Sequence, residues 1–150
     1  MTLAWKLVVD SADASAIAEF WAAALEYEVE DPTALIDSLL AAGRLPAAAV
    51  LELPDGRKQF RGFSAVRHPD DPHDPVSGIG KGRRILFQDV PEAKSTKNRL
   101  HLDIHSDGRL EPTVERLESL GAKRVKEHDQ GPVGHWWIML DPEGNEFCVA

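Results

Sequence analysis

Every second residue of Leu100-His101-Leu102-Asp103-Ile104-His105 is an imidazole or a carboxylate, and further along Glu146 and Cys148 stand two positions apart. An imidazole gives or takes a proton near neutral pH, a carboxylate holds a cation or a hydroxyl, and a thiolate is a nucleophile and metal ligand. A spacing of two puts such groups on one side of a β-strand, because successive strand residues point to opposite faces. The same rule collects Lys6, Val8 and Asp10 near the start, Arg84, Leu86 and Gln88 in the middle, and His135, Trp137 and Met139 near the end. Trp137 would be an aromatic wall for a flat ligand or a plain core tryptophan. A sheet with one wet face produces this alternation with no site at all. Several strands with chemically capable residues on the same side favour a site, because a curled sheet makes that side concave.

The elements that must carry these residues are legible in turn. Leu3 to Asp10 alternates like a strand; Asp13 then caps a helix whose Ile17, Phe20, Trp21, Ala24 and Leu25 recur at helical spacing. A second helix is predicted over Thr33 to Ala42, stopped by Gly43. Strands follow over Ala47 to Leu53 and Gln59 to Arg67, joined by Pro54-Asp55-Gly56, then a loop from His68 to Gly82 and a strand from Arg83 to Val90. The second half predicts a strand over Leu100 to His105, a helix over Leu110 to Leu120 ended by Gly121, and a strand over Ala122 to Lys126. His135 to Leu140 and Asn145 to Val149 close it as a hairpin. A shift of 95 positions (101 − 6) lays Trp5, Leu7 and Val9 on Leu100, Leu102 and Ile104 without a gap as far as Leu25 on Leu120. Two strand-helix-strand-strand-strand modules are the simplest account, with about 35 extra residues inside the first.

At 150 residues, with 43% apolar and 28% charged side chains, the chain is expected to be one globular domain. Its net charge of -8 argues against nucleic acid and anionic membrane surfaces, which need a basic footprint. A single cysteine, Cys148, excludes an internal disulfide. The N-terminus lacks the apolar core of a signal peptide and no apolar run approaches a membrane span, so a cytoplasmic protein is expected. His68 and His73 have no third partner and read as loop residues. Gly78-Ile79-Gly80-Lys81-Gly82 lacks the first glycine and the Ser or Thr of a phosphate-binding loop, and reads as a flexible lid or dimer contact. Lys94, Lys97 and Arg99 read as a solvated linker.

The turn Asp141-Pro142-Glu143-Gly144-Asn145 before the last strand, the stretch Lys97-Asn98-Arg99-Leu100-His101-Leu102-Asp103, and Phe87-Gln88-Asp89-Val90-Pro91-Glu92 ahead of it resemble the vicinal oxygen chelate superfamily in its glyoxalase-like branch. That group includes glyoxalase I, extradiol dioxygenases and bleomycin-resistance proteins. The resemblance implies an α+β fold: two tandem βαβββ modules forming a curled, cup-shaped mixed sheet with helices on the outer face. They would make one domain over 1–150, module 1 spanning about 1–92 with insertions near 33–42 and 68–82, and module 2 about 98–150.

Metal-dependent members carry a ligand on the first and last strand of each module. Carried over by position, these fall on Lys6, Gln88, His101 and Cys148, a poor set for a cation. Protonated lysine offers only donors, and glutamine is a weak ligand. The expectation is therefore no metal cofactor; if an ion binds, His101 holds it with Cys148 or Glu146, the latter through a strand shift or bulge. The ligand-binding set is expected to comprise Lys6, Gln88, His101, Asp103, Trp137, Glu146 and Cys148, with His101 and Glu146 as the pair for proton transfer. Two functions stand nearly level: metal-free binding of a small polar metabolite or antibiotic-like ligand, and a metal-dependent lyase, isomerase or dioxygenase using one divalent ion. Family relatives imply a homodimer, for which Trp5, Trp21, Trp136 and Trp137 would supply aromatic surface.

Overall fold

In a computed structural model describing residues 1–150, the repeated pattern becomes two units, Met1–Pro91 and Glu92–Ala150, of α+β construction. The first unit runs β1 (Leu7–Ser11), α1 (Ala14–Leu25), β2 (Glu28–Val29), α2 (Thr33–Ala41), β3 (Val50–Glu52), β4 (Lys58–Phe60), β5 (Phe63–Arg67) and β6 (Arg84–Asp89). Its main sheet has the order β1-β6-β5-β2; β1 lies parallel to β6 and the other pairs are antiparallel, while β3 and β4 form a separate hairpin. Helix α1 starts where expected, with the Asp13 carboxylate accepting the Ala16 N–H at 3.0 Å. Its Ile17, Phe20, Trp21 and Ala24 are buried, and the helix packs on β5 and β6, whose Val66, Ile85 and Phe87 complete the core.

The second unit runs β7 (Asp103–Ile104), α3 (Leu110–Ser119), β8 (Lys123–Asp129), β9 (His135–Leu140) and β10 (Glu146–Val149), in the order β7-β10-β9-β8. The first strand is again parallel to the last. Val114 and Leu117 of α3, Met139 of β9, and Phe147 and Val149 of β10 are its buried core. The β9–β10 turn is built on Asp141, 2% exposed, whose Oδ1 accepts the backbone N–H groups of Glu143 and Asn145 at 2.9 Å each. Gly144 sits at φ 85°, a left-handed conformation that a side chain would strain.

The shift of 95 survives in detail. Tyr27 donates its N–H to Ala22 O at 2.8 Å and Ala122 does the same to Leu117 O at 3.0 Å, each five residues back. The residue between is left-handed in both units, Glu26 at φ 57° and Gly121 at φ 112°. Ser11 at the end of β1 and Ser106 two residues past β7, also 95 apart, are both buried.

Some expectations need correction. The strand expected over Gln59 to Arg67 is two strands, broken at Arg61 and Gly62, the latter at φ 81°. Only Asp103 and Ile104 pair in β7, and the short β2 was not foreseen. Trp21 is 4% exposed and therefore core, which removes it from any interface.

The largest correction concerns the phase of β9. Met139 lies opposite Phe147 and Trp137 opposite Val149, so Trp137 and Met139 share the face that packs under α3. Trp136, Ile138 and Leu140 take the open face instead. His-Trp-Trp-Ile-Met-Leu is apolar at nearly every position, so alternation sets no phase, and the register of the hairpin decides it.

Candidate functional site

The open face of the second unit brings together three of the expected residues. Asp103 and Cys148 are lateral partners in the parallel β7–β10 pair, and His101 lies two residues before Asp103. His101 Nε2 is 3.2 Å from Asp103 Oδ1, and the ligand atoms of His101, Asp103 and Cys148 all lie within 4.8 Å of one another. Burial pushes the Cys148 thiol above its ordinary range, and the Asp103 carboxylate adds to this by charge and hydrogen bonding. At neutral pH the sulfur is a protonated thiol, a poor nucleophile until a cation displaces the proton.

Glu146 shares that face but is engaged elsewhere. Its Oε2 accepts the Asn98 N–H at 3.0 Å and pairs with Lys94 Nζ at 3.2 Å. Burial opposes ionisation of this carboxyl, yet the Asn98 N–H and Lys94 outweigh it and hold the group below its usual value. Asp103, rather than Glu146, is the carboxylate beside His101. Trp137 is not on this face: its indole N–H donates to Glu111 of α3 at 2.8 Å, and the Arg124 guanidinium lies 4.8 Å from its ring centre. The aromatic residue that does lie on the open face is Trp136, stacked on His128 with ring centres 5.0 Å apart.

The open face of the first unit holds a cavity of about 600 Å³, within the range of small-molecule sites. Lys6 lines it, as do Arg84 and Leu86 of β6 and Phe63 of β5. Beside them stand Gln59 and Phe60 from the β3–β4 hairpin. The Ser77 to Gly82 stretch walls it, and that wall is pinned rather than a free lid. Gly78 N–H bonds to Asp74 O at 2.9 Å, Lys81 N–H to Pro72 O at 2.7 Å, and Gly80 N–H to Glu30 Oε1 at 2.7 Å. The glycines let the loop sit this close: a Cβ on Gly78 would lie 2.5 Å from Asp31 O, and one on Gly80 would lie 2.9 Å from Arg67 Cβ.

Glu30, 7% exposed, is the hub of this wall. Besides Gly80 it takes Arg84 in a two-pronged pair, Nε to Oε1 at 2.8 Å and Nη2 to Oε2 at 2.6 Å. Sequence reasoning missed Glu30 and Gln59, because a buried carboxylate and a buried amide leave no periodic signature. The Gly-x-Gly-x-Gly spacing was their one local trace, pointing to a loop that must approach other backbone closely.

Gln88 lies on the same face of β6 as Arg84 and Leu86 but outside the cavity lining. The register also revises its equivalence. Val8 pairs with Leu86 as Asp103 pairs with Cys148, so the first-unit counterpart of Cys148 is Leu86, not Gln88.

A glyoxalase-like domain model matches residues 6–150. The chain belongs to the glyoxalase-like domain family of the vicinal oxygen chelate superfamily. Its fold is shared by a glyoxalase/bleomycin resistance protein/dioxygenase family enzyme from Burkholderia phytofirmans PsJN, at 16% identity and TM-score 0.55, covering 96% of this chain and 94% of that one. It is also shared by the hypothetical protein SA1046 from S. aureus, at 10% identity and TM-score 0.55, covering 99% and 96%. A mutant of the fosfomycin resistance protein FosX from Listeria monocytogenes, complexed with Mn(II) and 1S,2S-dihydroxypropylphosphonic acid, matches at 9% identity and TM-score 0.56, covering 99% and 89%. No curated protein matches the chain. No helix is long and apolar enough to cross a membrane.

Proposed function

We propose that this chain is a single cytoplasmic glyoxalase-like domain that works as a homodimer and binds a small polar metabolite or antibiotic-like ligand without the family's usual complete metal site. The first-unit cavity carries this reading: at about 600 Å³ it is large enough for a metabolite, and it is lined by Lys6, the residue onto which the family resemblance carries a metal-ligand position. The donor chemistry agrees. An ammonium has no lone pair for a cation, and Leu86, the register counterpart of Cys148, has no donor atom. Gln88 would add only a weak neutral oxygen. Lys6 then serves as a polar contact for the ligand in the first-unit cavity.

A second reading has its own support. His101, Asp103 and Cys148 gather three donor types within 4.8 Å, the number of protein ligands that a catalytic zinc site keeps. A divalent ion held there would polarise an oxygen of a bound metabolite, and His101, Asp103 and Cys148 would be engaged as its ligands. Native mass spectrometry and elemental analysis of the purified protein separate the two readings. The binding protein retains an organic ligand or none, with substoichiometric metal. A stoichiometric divalent ion that His101→Ala abolishes would overturn it in favour of the metal-dependent lyase, isomerase or dioxygenase.

A further inference from the structure

The cavity of the first unit has a charge that the whole chain does not. The protein carries a net -8, yet three cationic side chains, Lys6, Lys81 and Arg84, line the cavity against one carboxylate, Glu30. That carboxylate is spent: both oxygens hold Arg84, and Oε1 also holds the Gly80 N–H. Lys6 and Lys81 form no salt bridge with any carboxylate. The Oδ1 of nearby Asp74 is engaged in accepting the N–H groups of Val76 and Ser77 and the Ser77 hydroxyl. Two exposed ammonium groups at the rim of one cavity, with no carboxylate paired to either, favour an anion there.

A second observation is independent of charge. Gln59 lines the cavity and is 3% exposed; its Nε2 donates to Ser64 Oγ at 3.2 Å, while its Oε1 has no partner. Turning the amide over exchanges the atoms but still leaves one end unmet, because Ser64 offers a single oxygen. Buried amides are nearly always satisfied at both ends, and one that is not, beside a cavity, calls for a polar group from the occupant. Phe60, Phe63 and Leu86 supply apolar lining between these polar points.

We infer that the occupant of this cavity is a small organic anion of the hydroxy-acid type: a carboxylate for the ammonium groups of Lys6 and Lys81, an apolar or aromatic body against Phe60 and Phe63, and a hydroxyl for the free end of Gln59. This rests on the small-molecule reading above and narrows it. A hydroxyl suits the Gln59 site because it can donate to Oε1 and accept from a reversed amide.

The test is isothermal titration of the full chain with 4-hydroxyphenylacetate, its neutral counterpart 2-(4-hydroxyphenyl)ethanol, and 4-methylphenylacetate, which lacks the hydroxyl. The hydroxy acid should bind in a salt-sensitive manner. Loss of the carboxylate, or Lys6→Met, should weaken it by about tenfold or more, as expected for losing a hydrogen bond to a charged group. Loss of the hydroxyl, or Gln59→Leu, should weaken it severalfold. Lys6 is exposed, so Lys6→Met tests the anion claim even if Gln59→Leu does not fold. Equal binding of the acid and the alcohol, or no effect of Lys6→Met, overturns the hydroxy-acid assignment while leaving small-molecule binding in place. Failure of all three probes also overturns it. The wider reading fails separately, if native mass spectrometry finds the stoichiometric, His101-dependent metal.

Discussion

Replacing Glu30 by alanine should damage the first unit more than any change at the cavity rim. The carboxylate accepts from Arg84 Nε at 2.8 Å, Arg84 Nη2 at 2.6 Å and Gly80 N at 2.7 Å, and the side chains of Arg84 and Glu30 are 12% and 6% exposed. Without it the guanidinium stays in the cavity wall with no counter-charge, and the Gly80 N–H loses its acceptor. Removing one partner of a buried pair costs about 3–5 kcal/mol, mainly because the other charge is left unsolvated. Against a typical domain stability of about 5–15 kcal/mol, the loss should be unmistakable. The reasoning is tightest in a cycle. Arg84→Met alone strands the Glu30 carboxylate, whereas Glu30→Met with Arg84→Met removes both charges and should recover most of the loss, since apolar replacement of a whole buried pair is often neutral. The assay is urea unfolding at pH 7, followed by circular dichroism and tryptophan fluorescence, for wild type, both single variants and the double. If Glu30→Ala falls within about 1 kcal/mol of wild type, or the double variant costs the sum of the singles, the pair is not the buried, coupled unit described and the reasoning fails.

Two further outcomes are expected elsewhere. Asp141→Ala removes the acceptor for the Glu143 and Asn145 N–H groups and for the Asn145 side chain; it should cost about 2–3 kcal/mol in the same assay, and a change under about 0.5 kcal/mol would show that the turn holds its shape without it. For Cys148, burial and then the Asp103 carboxylate raise the thiol pKa, so iodoacetamide should react slowly at pH 7.5 and faster as pH rises. Asp103→Asn removes a negative charge that opposes the thiolate, lowers the pKa and should speed alkylation at pH 8; an unchanged rate would mean that burial alone sets it.

The alternation around Leu102 and Ile104, the Asp13 cap, Gly121 and the Asp141 turn were all readable because each is a local device with a characteristic residue. The alternation of Leu102 and Ile104 recurs 95 positions earlier in Leu7 and Val9, which is the trace of the duplication in the sequence. The open-face assignment of Glu146 and Cys148 was equally readable, since Phe147 and Val149 are apolar and their neighbours are not. Trp137 failed for the opposite reason: its strand is apolar on both faces and carries no phase of its own. Glu146 was placed on the correct face, but its hydrogen bond to Asn98 joins residues 48 apart, which no spacing rule could see.

The sequence by itself determined the two βαβββ units and the family, because these depend on residue type and on periods of two and about four along the chain. Only the tertiary structure decided which carboxylate sits beside His101, which face Trp137 takes, and that Glu30 and Gln59 belong to a cavity at all. Those facts arise from hydrogen-bond register and from the desolvation of polar groups brought together from distant segments, and neither is written in the spacing of neighbours.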